Sequence, residues 1–197
     1  LYQTDGLFQT QAEVDAYYAA NNENGSLPSG LNVLRPGDTK RADLNNDGII
    51  DAKDVKFMGD TAAHYVYGIN LSATYGNFDV STFFQGVLEQ NVLRTGFLSY
   101  PFNTLYGSQT TAFIGKTWTP TNIDAAYPRM TSNVTRAAWN WQNNDFALQD
   151  NQYIRLKSLI VGYTLNDLKI GNFGLDKFRV YFSGNDLFEF SKVKDGY

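Results

Sequence analysis

Residues 65–85, YVYGINLSATYGNFDVSTFFQ, decide the fold. Tyr65, Tyr67, Ile69, Leu71, Ala73 and Tyr75 alternate with Val66, Gly68, Asn70, Ser72 and Thr74. A period of two marks a strand, because successive side chains point to opposite faces. One face is apolar with tyrosines at both ends, and the other is mostly small and polar. Gly76-Asn77 reads as a tight turn. Beyond it Phe78, Val80, Thr82 and Phe84 share a face against Asp79, Ser81, Phe83 and Gln85, with Phe83 interrupting the polar side. A sandwich strand alternates in this way. So does a strand of a membrane barrel, whose apolar side meets lipid between two aromatic girdles. The roughly 9–11 residues that cross a bilayer as a strand are available.

On the C-terminal side, residues 88–151 lose the alternation and hold Trp118, Trp139, Trp141, Pro101, Pro120 and Pro128. So long a connection is uncommon in a compact soluble domain. It is ordinary on one side of a membrane barrel. Trp139 and Trp141 stand beside Asn140, Gln142, Asn143 and Asn144, a grouping that suits contact with a sugar or packing of the loop on itself. Both readings stay open. Asn133-Val134-Thr135 has the form of a glycosylation sequon, a triplet common by chance. Alternation returns at Tyr153, with Leu159, Val161, Tyr163 and Leu165 opposite Ser158, Gly162 and Thr164. The same period puts Arg155 and Lys157 on the Leu159 face, near the loop end, where charge lies outside hydrocarbon. Residues 166–177, with Gly171 and Gly174, read as a shorter connection. A last strand is expected from Phe178 to about Phe190.

On the N-terminal side, TQAEVDAYYAAN (10–21) predicts a short helix. Thr10 and Glu13 form a capping box, and Val14, Tyr17 and Tyr18 share a face. Residues 22–40 read as loop. DLNNDGIIDAKD (43–54) then places oxygen donors at the liganding positions of a twelve-residue metal loop. Asp43, Asn45 and Asp47 stand at 1, 3 and 5, and Gly48 at the sharp turn. Ile49 offers its carbonyl at 7, Asp51 acts through water at 9, and Asp54 closes at 12. A hard cation takes six to eight oxygens, so structural calcium is expected, with Asp54 giving the loop a dockerin-type ending in place of the usual Glu. An acidic turn with no ion is the plainer alternative. A second such loop is absent, which speaks against a dockerin.

Composition narrows the functions. Net charge is -4, which gives no electrostatic reason for nucleic-acid binding. With no cysteine and His64 as the only histidine, disulfides, thiolate sites, a cysteine nucleophile and a His-rich metal site drop out. Thirteen Tyr and fourteen Phe favour strands. The chain starts at Leu1 with neither methionine nor signal peptide and reads as an internal fragment. A glycosidase would need a carboxylate pair. Glu13, Glu23, Glu89 and Glu189 form no evident pair, and the aspartates gather in the metal loop. No catalysis is expected.

Five stretches together resemble the C-terminal barrel of SusC-like TonB-dependent outer-membrane transporters. They are Pro36 to Asp54 (PGDTKRADLNNDGIIDAKD), Tyr67 to Gly86, AAYPRM (125–130), NQYIRLKSLIVGYTL (151–165) and FRVYFSGNDLFEFS (178–191). The opening GLFQTQAEVDAYYAAN also resembles that family's helical segment before the metal loop. The resemblance implies an all-β fold: antiparallel strands of a transmembrane barrel of 22 strands with a plugged lumen. This chain would hold about four of those strands, too few to close a pore. It implies a SusD-like surface lipoprotein as partner, TonB acting through a region outside this chain, and oligosaccharide or peptide as cargo. The final Gly196-Tyr197 is where the family continues into further strand.

The expected organisation is an extracellular loop region over 1–63, with the short helix and calcium loop, followed by barrel strands over 64–197 with a long extracellular loop at 88–151. Short turns in bacterial barrels face the periplasm and long loops face outside. The metal loop precedes the first strand, at the end opposite the 76–77 turn, so it is expected on the extracellular side of the outer membrane. The alternative from another class is a soluble secreted calcium-binding β-domain, such as a carbohydrate-binding module. There the apolar faces would pack into one dry core.

Overall fold

A computed structural model describes residues 1–95, 101, 111–171 and 173–193. The last two residues of the expected continuation, Gly196 and Tyr197, and part of the 88–151 connection lie outside the described residues. The chain forms two compact units that interleave in sequence. One combines Leu1–Gly59 with Leu93–Gln149. The other combines Asp60–Val92 with the strands that follow Asp150.

The first unit carries strands β1 (Thr4–Leu7) and β2 (Thr39–Arg41), paired antiparallel, and helix α1 (Gln11–Asn21). Thr10 caps α1, its hydroxyl accepting from the Glu13 N–H at 3.2 Å. The Glu13 carboxylate accepts from the Gln9 N–H, one residue before the partner a capping box would use. Val14 and Tyr17 turn inward and pack with Phe8, Leu27, Leu34, Ile50 and Trp139. The described residues of the 88–151 connection after Thr111 are therefore not an open loop. They contribute helix α2 (Val134–Trp141), capped by the Asn133 side chain, which accepts from the Arg136 N–H at 3.0 Å. A second cluster forms around Phe113, Tyr127 and Trp141, with Tyr127 and Trp141 stacked 5.8 Å apart.

The second unit is a four-stranded antiparallel meander in the order β3 (His64–Tyr75), β4 (Phe78–Glu89), β7 (Tyr153–Ile170), β8 (Phe173–Ser191). Two short strands, β5 (Asn91–Leu93) and β6 (Leu148–Asp150), lie between β4 and β7 in the chain. Gly76 turns β3 into β4 with φ +57°, a left-handed conformation that glycine adopts without strain. At the other end of β4, Gln90 and Asn151 close the sheet. The Asn151 N–H donates to the Gln90 carbonyl at 2.8 Å, and the Asn151 side-chain amide donates to Gln90 Oε1 at 2.7 Å.

Two sequence expectations change here. The stretch 166–177 is mostly strand. Asn166 pairs with Lys177 and Leu168 with Leu175, and only the turn at Gly171 connects β7 to β8. Its Asn, Asp and Lys residues mimic a loop because this end of the hairpin is polar. Arg155, moreover, does not share the Leu159 face. Thr82 pairs with Leu159 but Phe84 pairs with Leu156, so one extra residue is inserted in β7 at this point. A bulge reverses the facing of everything beyond it. It keeps Leu156 in line with Leu159 and moves Arg155 to the opposite side.

Candidate functional site

With the bulge included, the sheet has two chemically distinct faces. Tyr67, Ile69, Leu71, Ala73 and Tyr75 align with Phe78, Val80, Thr82 and Phe84. Next to them come Leu156, Leu159, Val161 and Tyr163, then Phe178, Val180, Phe182 and Phe188. Phe78 and Tyr163 meet at 4.6 Å near the hairpin end, and Phe84 and Phe188 at 6.5 Å near the other. Most of these side chains are exposed, Leu71 at 57 % and Val180 at 56 %.

The other face carries ion pairs. Arg179 donates to both Asp79 oxygens, Nε at 3.1 Å and Nη2 at 2.5 Å, reaching from β8 to β4 across β7. The strand between them presents Gly162. A Cβ there would stand 2.5 Å from Arg179 Nη2 and from Asp79 Oδ1, so a glycine is what lets the pair lie on the sheet. Towards the loop end, Arg155 pairs with Glu189, and Lys157 Nζ lies 3.0 Å from Asp186 Oδ1. Phe83, which interrupts the polar pattern, fills the space left by Gly68, where a Cβ would lie 3.0 Å from its ring.

The metal-type loop belongs to the first unit and hangs from a buried polar hub. Thr39 N–H donates to Asn140 Oδ1 at 2.9 Å, and Trp139 Nε1 donates to the Thr39 carbonyl at 2.8 Å. Arg41 donates to the Trp139 and Gln142 carbonyls and to Asn144 Oδ1, each at 3.0 Å, with its guanidinium between the Tyr2 and Trp139 rings. Burial pushes the Arg41 pKa down to about 10. The Asp38 carboxyl is buried too. Desolvation raises its pKa, opposed by hydrogen bonds from the Asn140 amide and the Arg35 N–H. Burial also holds the Tyr17 phenol above its usual range, while its hydroxyl donates to the Arg41 carbonyl at 2.7 Å.

From this anchor the loop turns as its spacing requires. Gly48 takes φ +73°. Asp43 accepts from the Asn46 and Gly48 N–H groups, Asn45 Oδ1 from Asp47, and Asp47 Oδ1 from Ile49. Asp54 is fully buried and accepts from the Leu44 and Asp51 N–H groups at 2.8 and 2.9 Å, closing the loop at its twelfth residue. Asp51 accepts from the Lys53 N–H. The carboxylates face their own backbone: among the described residues no three acidic or histidine side chains converge on a metal-sized point. The donor set still suits a hard cation, with oxygen at every liganding position and the glycine in its left-handed turn. One cation is already present, because the Lys53 ammonium sits against Asp47 and holds that carboxyl below the usual carboxylate range.

Trp139 and Trp141 are both buried, one in each aromatic cluster. Their faces are covered by protein. Asn133 of the sequon-like triplet is engaged as a helix cap and also donates to Asn32 Oδ1 at 2.9 Å. Sequence reasoning missed the Asp79–Arg179 pair, whose members lie a hundred residues apart. Gly162 within an apolar strand was the available signal.

No protein-family model matches the chain. It is 30 % identical over 178 residues to TonB-dependent receptor P3 of Formosa agariphila, which covers 88 % of this chain and 17 % of that protein. It is 28 % identical over 192 residues to TonB-dependent receptor P26 of the same organism, covering 96 % of this chain and 18 % of the relative. The chain thus spans less than a fifth of either. Among solved structures, the RagAB peptide importer in its open-open state superposes with a TM-score of 0.50 at 16 % identity, over 85 % of this chain and 17 % of that one.

Proposed function

The chain belongs to the TonB-dependent receptors as a segment of one, and we propose that it forms part of the wall and outer loops of a SusC-like importer. In this reading β3, β4, β7 and β8 are four strands of a closed barrel of 22 in the bacterial outer membrane. Their apolar face meets lipid and their ion-paired face lines the lumen. The cargo is oligosaccharide or peptide, delivered with a SusD-like surface lipoprotein and driven by TonB through a part of the receptor outside this segment. The contribution of the segment is passage and shape; no covalent step is assigned to it. The match to a peptide importer supports the fold.

The two-faced sheet carries the proposal. Tyr67 and Tyr75 stand eight residues apart on β3. At about 3.3 Å per residue and a tilt of about 40° they are separated by roughly 20 Å in height, close to the apolar band between aromatic girdles. Between Tyr67 and Tyr75 the ion pairs Asp79–Arg179, Arg155–Glu189 and Lys157–Asp186 lie on the opposite face, where water in a lumen would solvate them. The 76–77 turn and the Gly171 turn lie at one end of the sheet, which in this reading is periplasmic. The chain between β4 and β7 and the metal-type loop then lie outside, where calcium is plentiful. Asp43, Asn45, Asp47, Asp51, Asp54 and the Ile49 carbonyl would hold it. The ion would supply rigidity to the loop by drawing these oxygens together.

Single-cysteine labelling of the whole receptor in native outer membranes tests the reading. In a cysteine-free background, Ser72→Cys reacts with a hydrophilic maleimide, whereas Leu71→Cys reacts only with a lipid-soluble one. Equal aqueous labelling at both positions sinks the barrel-wall assignment. Protection of Leu71→Cys from both reagents favours a sandwich with a dry core.

A further inference from the structure

The Lys53 ammonium lies 3.1 Å from Asp47 Oδ2 and 4.0 Å from Asp51 Oδ2. Positions 5 and 9 of the metal-type loop therefore already share a cation, supplied by the residue at position 11. Resting on the calcium reading of this loop, we propose that Lys53 sets its affinity: a tethered cation that holds the turn closed without metal and must leave Asp47 when a divalent ion enters.

The geometry around Asp47 supports this. Its Oδ2 receives Lys53 Nζ at 3.1 Å and Asn45 Nδ2 at 2.8 Å, and its Oδ1 receives the Ile49 N–H at 3.1 Å. An ion reaching Oδ2 competes directly with Lys53. The lysine side chain is 65 % exposed, so it swings into water without disturbing packing. While in place it offsets repulsion among four aspartates within twelve residues, and the loop keeps its turn when empty. A divalent ion then has to displace an intramolecular competitor and stays close to its positive charge. Both effects weaken binding towards the roughly 10⁻⁴–10⁻³ M range of extracellular calcium modules. Such a loop is filled outside the cell without being a high-affinity site.

The test is calorimetric titration of the purified full-length receptor with calcium chloride. It compares the native protein, Lys53→Gln, Lys53→Arg, and the double variant Asp43→Ala with Asp47→Ala. Removing the competing charge is expected to tighten binding about five- to tenfold in Lys53→Gln, from Coulomb interactions at these distances in water. Lys53→Arg stays near the native value, and the double variant binds no calcium at this loop. In calcium-free buffer, Lys53→Gln exchanges the Gly48 and Ile49 amide hydrogens faster than the native receptor. Equal affinity in native and Lys53→Gln overturns the role of Lys53 and leaves the calcium loop standing. Absence of binding in every protein, or binding that survives the double variant, overturns the calcium reading and the proposal with it.

Discussion

The two units solve the burial problem in opposite ways. The first gathers Phe8, Val14, Leu34 and Trp139 into an interior and encloses even charged groups, Asp38 and Arg41, within hydrogen bonds. The second leaves Ile69, Leu71, Val180 and Phe182 exposed and carries its ion pairs, Asp79–Arg179 and Arg155–Glu189, on the other face. Apolar burial is the dominant favourable term in folding; the first unit gathers most of the buried side chains, whereas in the sheet Val87 and Leu156 are buried and most of the apolar face is not. In the barrel-wall reading proposed above, the sheet would draw its stability from lipid on one side and the rest of a receptor on the other.

Substitutions can break that contrast. The largest effect is expected from Arg41→Ala in the first unit, which empties a buried site and leaves the Trp139 and Gln142 carbonyls and Asn144 without their donor. The cost is about 3–5 kcal/mol from cavity and orphaned acceptors together. Hydrogen exchange on the whole receptor should show α2 and residues 38–41 losing protection while β3 to β8 keep theirs. Loss of protection in both units would mean that they do not stand independently. Next comes the sheet itself. In the barrel-wall reading, Leu71→Arg would place a guanidinium against lipid and is expected to cost about 2–4 kcal/mol near mid-membrane, whereas Ser72→Arg on the opposite face costs far less. Urea titration of the receptor refolded in lipid vesicles checks this, and equal costs would contradict the facing of β3. The smallest effect sharpens the polar face. Gly162→Ala pushes into the Asp79–Arg179 pair and is expected to cost about 1–3 kcal/mol as an overpacking change. The same titration should show much of that loss recovered when Asp79→Ala is added. No recovery would mean that the glycine serves the backbone and not the pair.

Much of this was legible in the sequence, and the exceptions have physical causes. The 65–85 hairpin stood out because a period of two and a Gly-Asn turn agree over twenty residues. The turn at 43–54 was legible because its Asp, Asn and Gly residues bond their own backbone locally. The bulge in β7 was not, since inserting one residue between Leu156 and Leu159 leaves the apolar composition unchanged and alters only the phase. Helix α2 was missed for a related reason. Its eight residues are too few to set a helical period, and it is held by Asn140 and Trp139 bonding to Thr39, about a hundred residues away. The Asn133 cap was its one local signal. Lys53 was visible as a residue, but its position against Asp47 depends on the turn at Gly48.

The closure between Gln90 and Asn151 has an evolutionary consequence. These two residues bind each other through both main chain and side chain, so the register of β4 against β7 is fixed at the threshold of the long connection. The connection can then vary at positions outside the Thr39–Arg41 hub, which Trp139, Asn140, Gln142 and Asn144 hold, while β4 and β7 stay in step. Related chains should keep the Gln90–Asn151 contact and the β4–β7 pairing beside it even where the length of the connection differs.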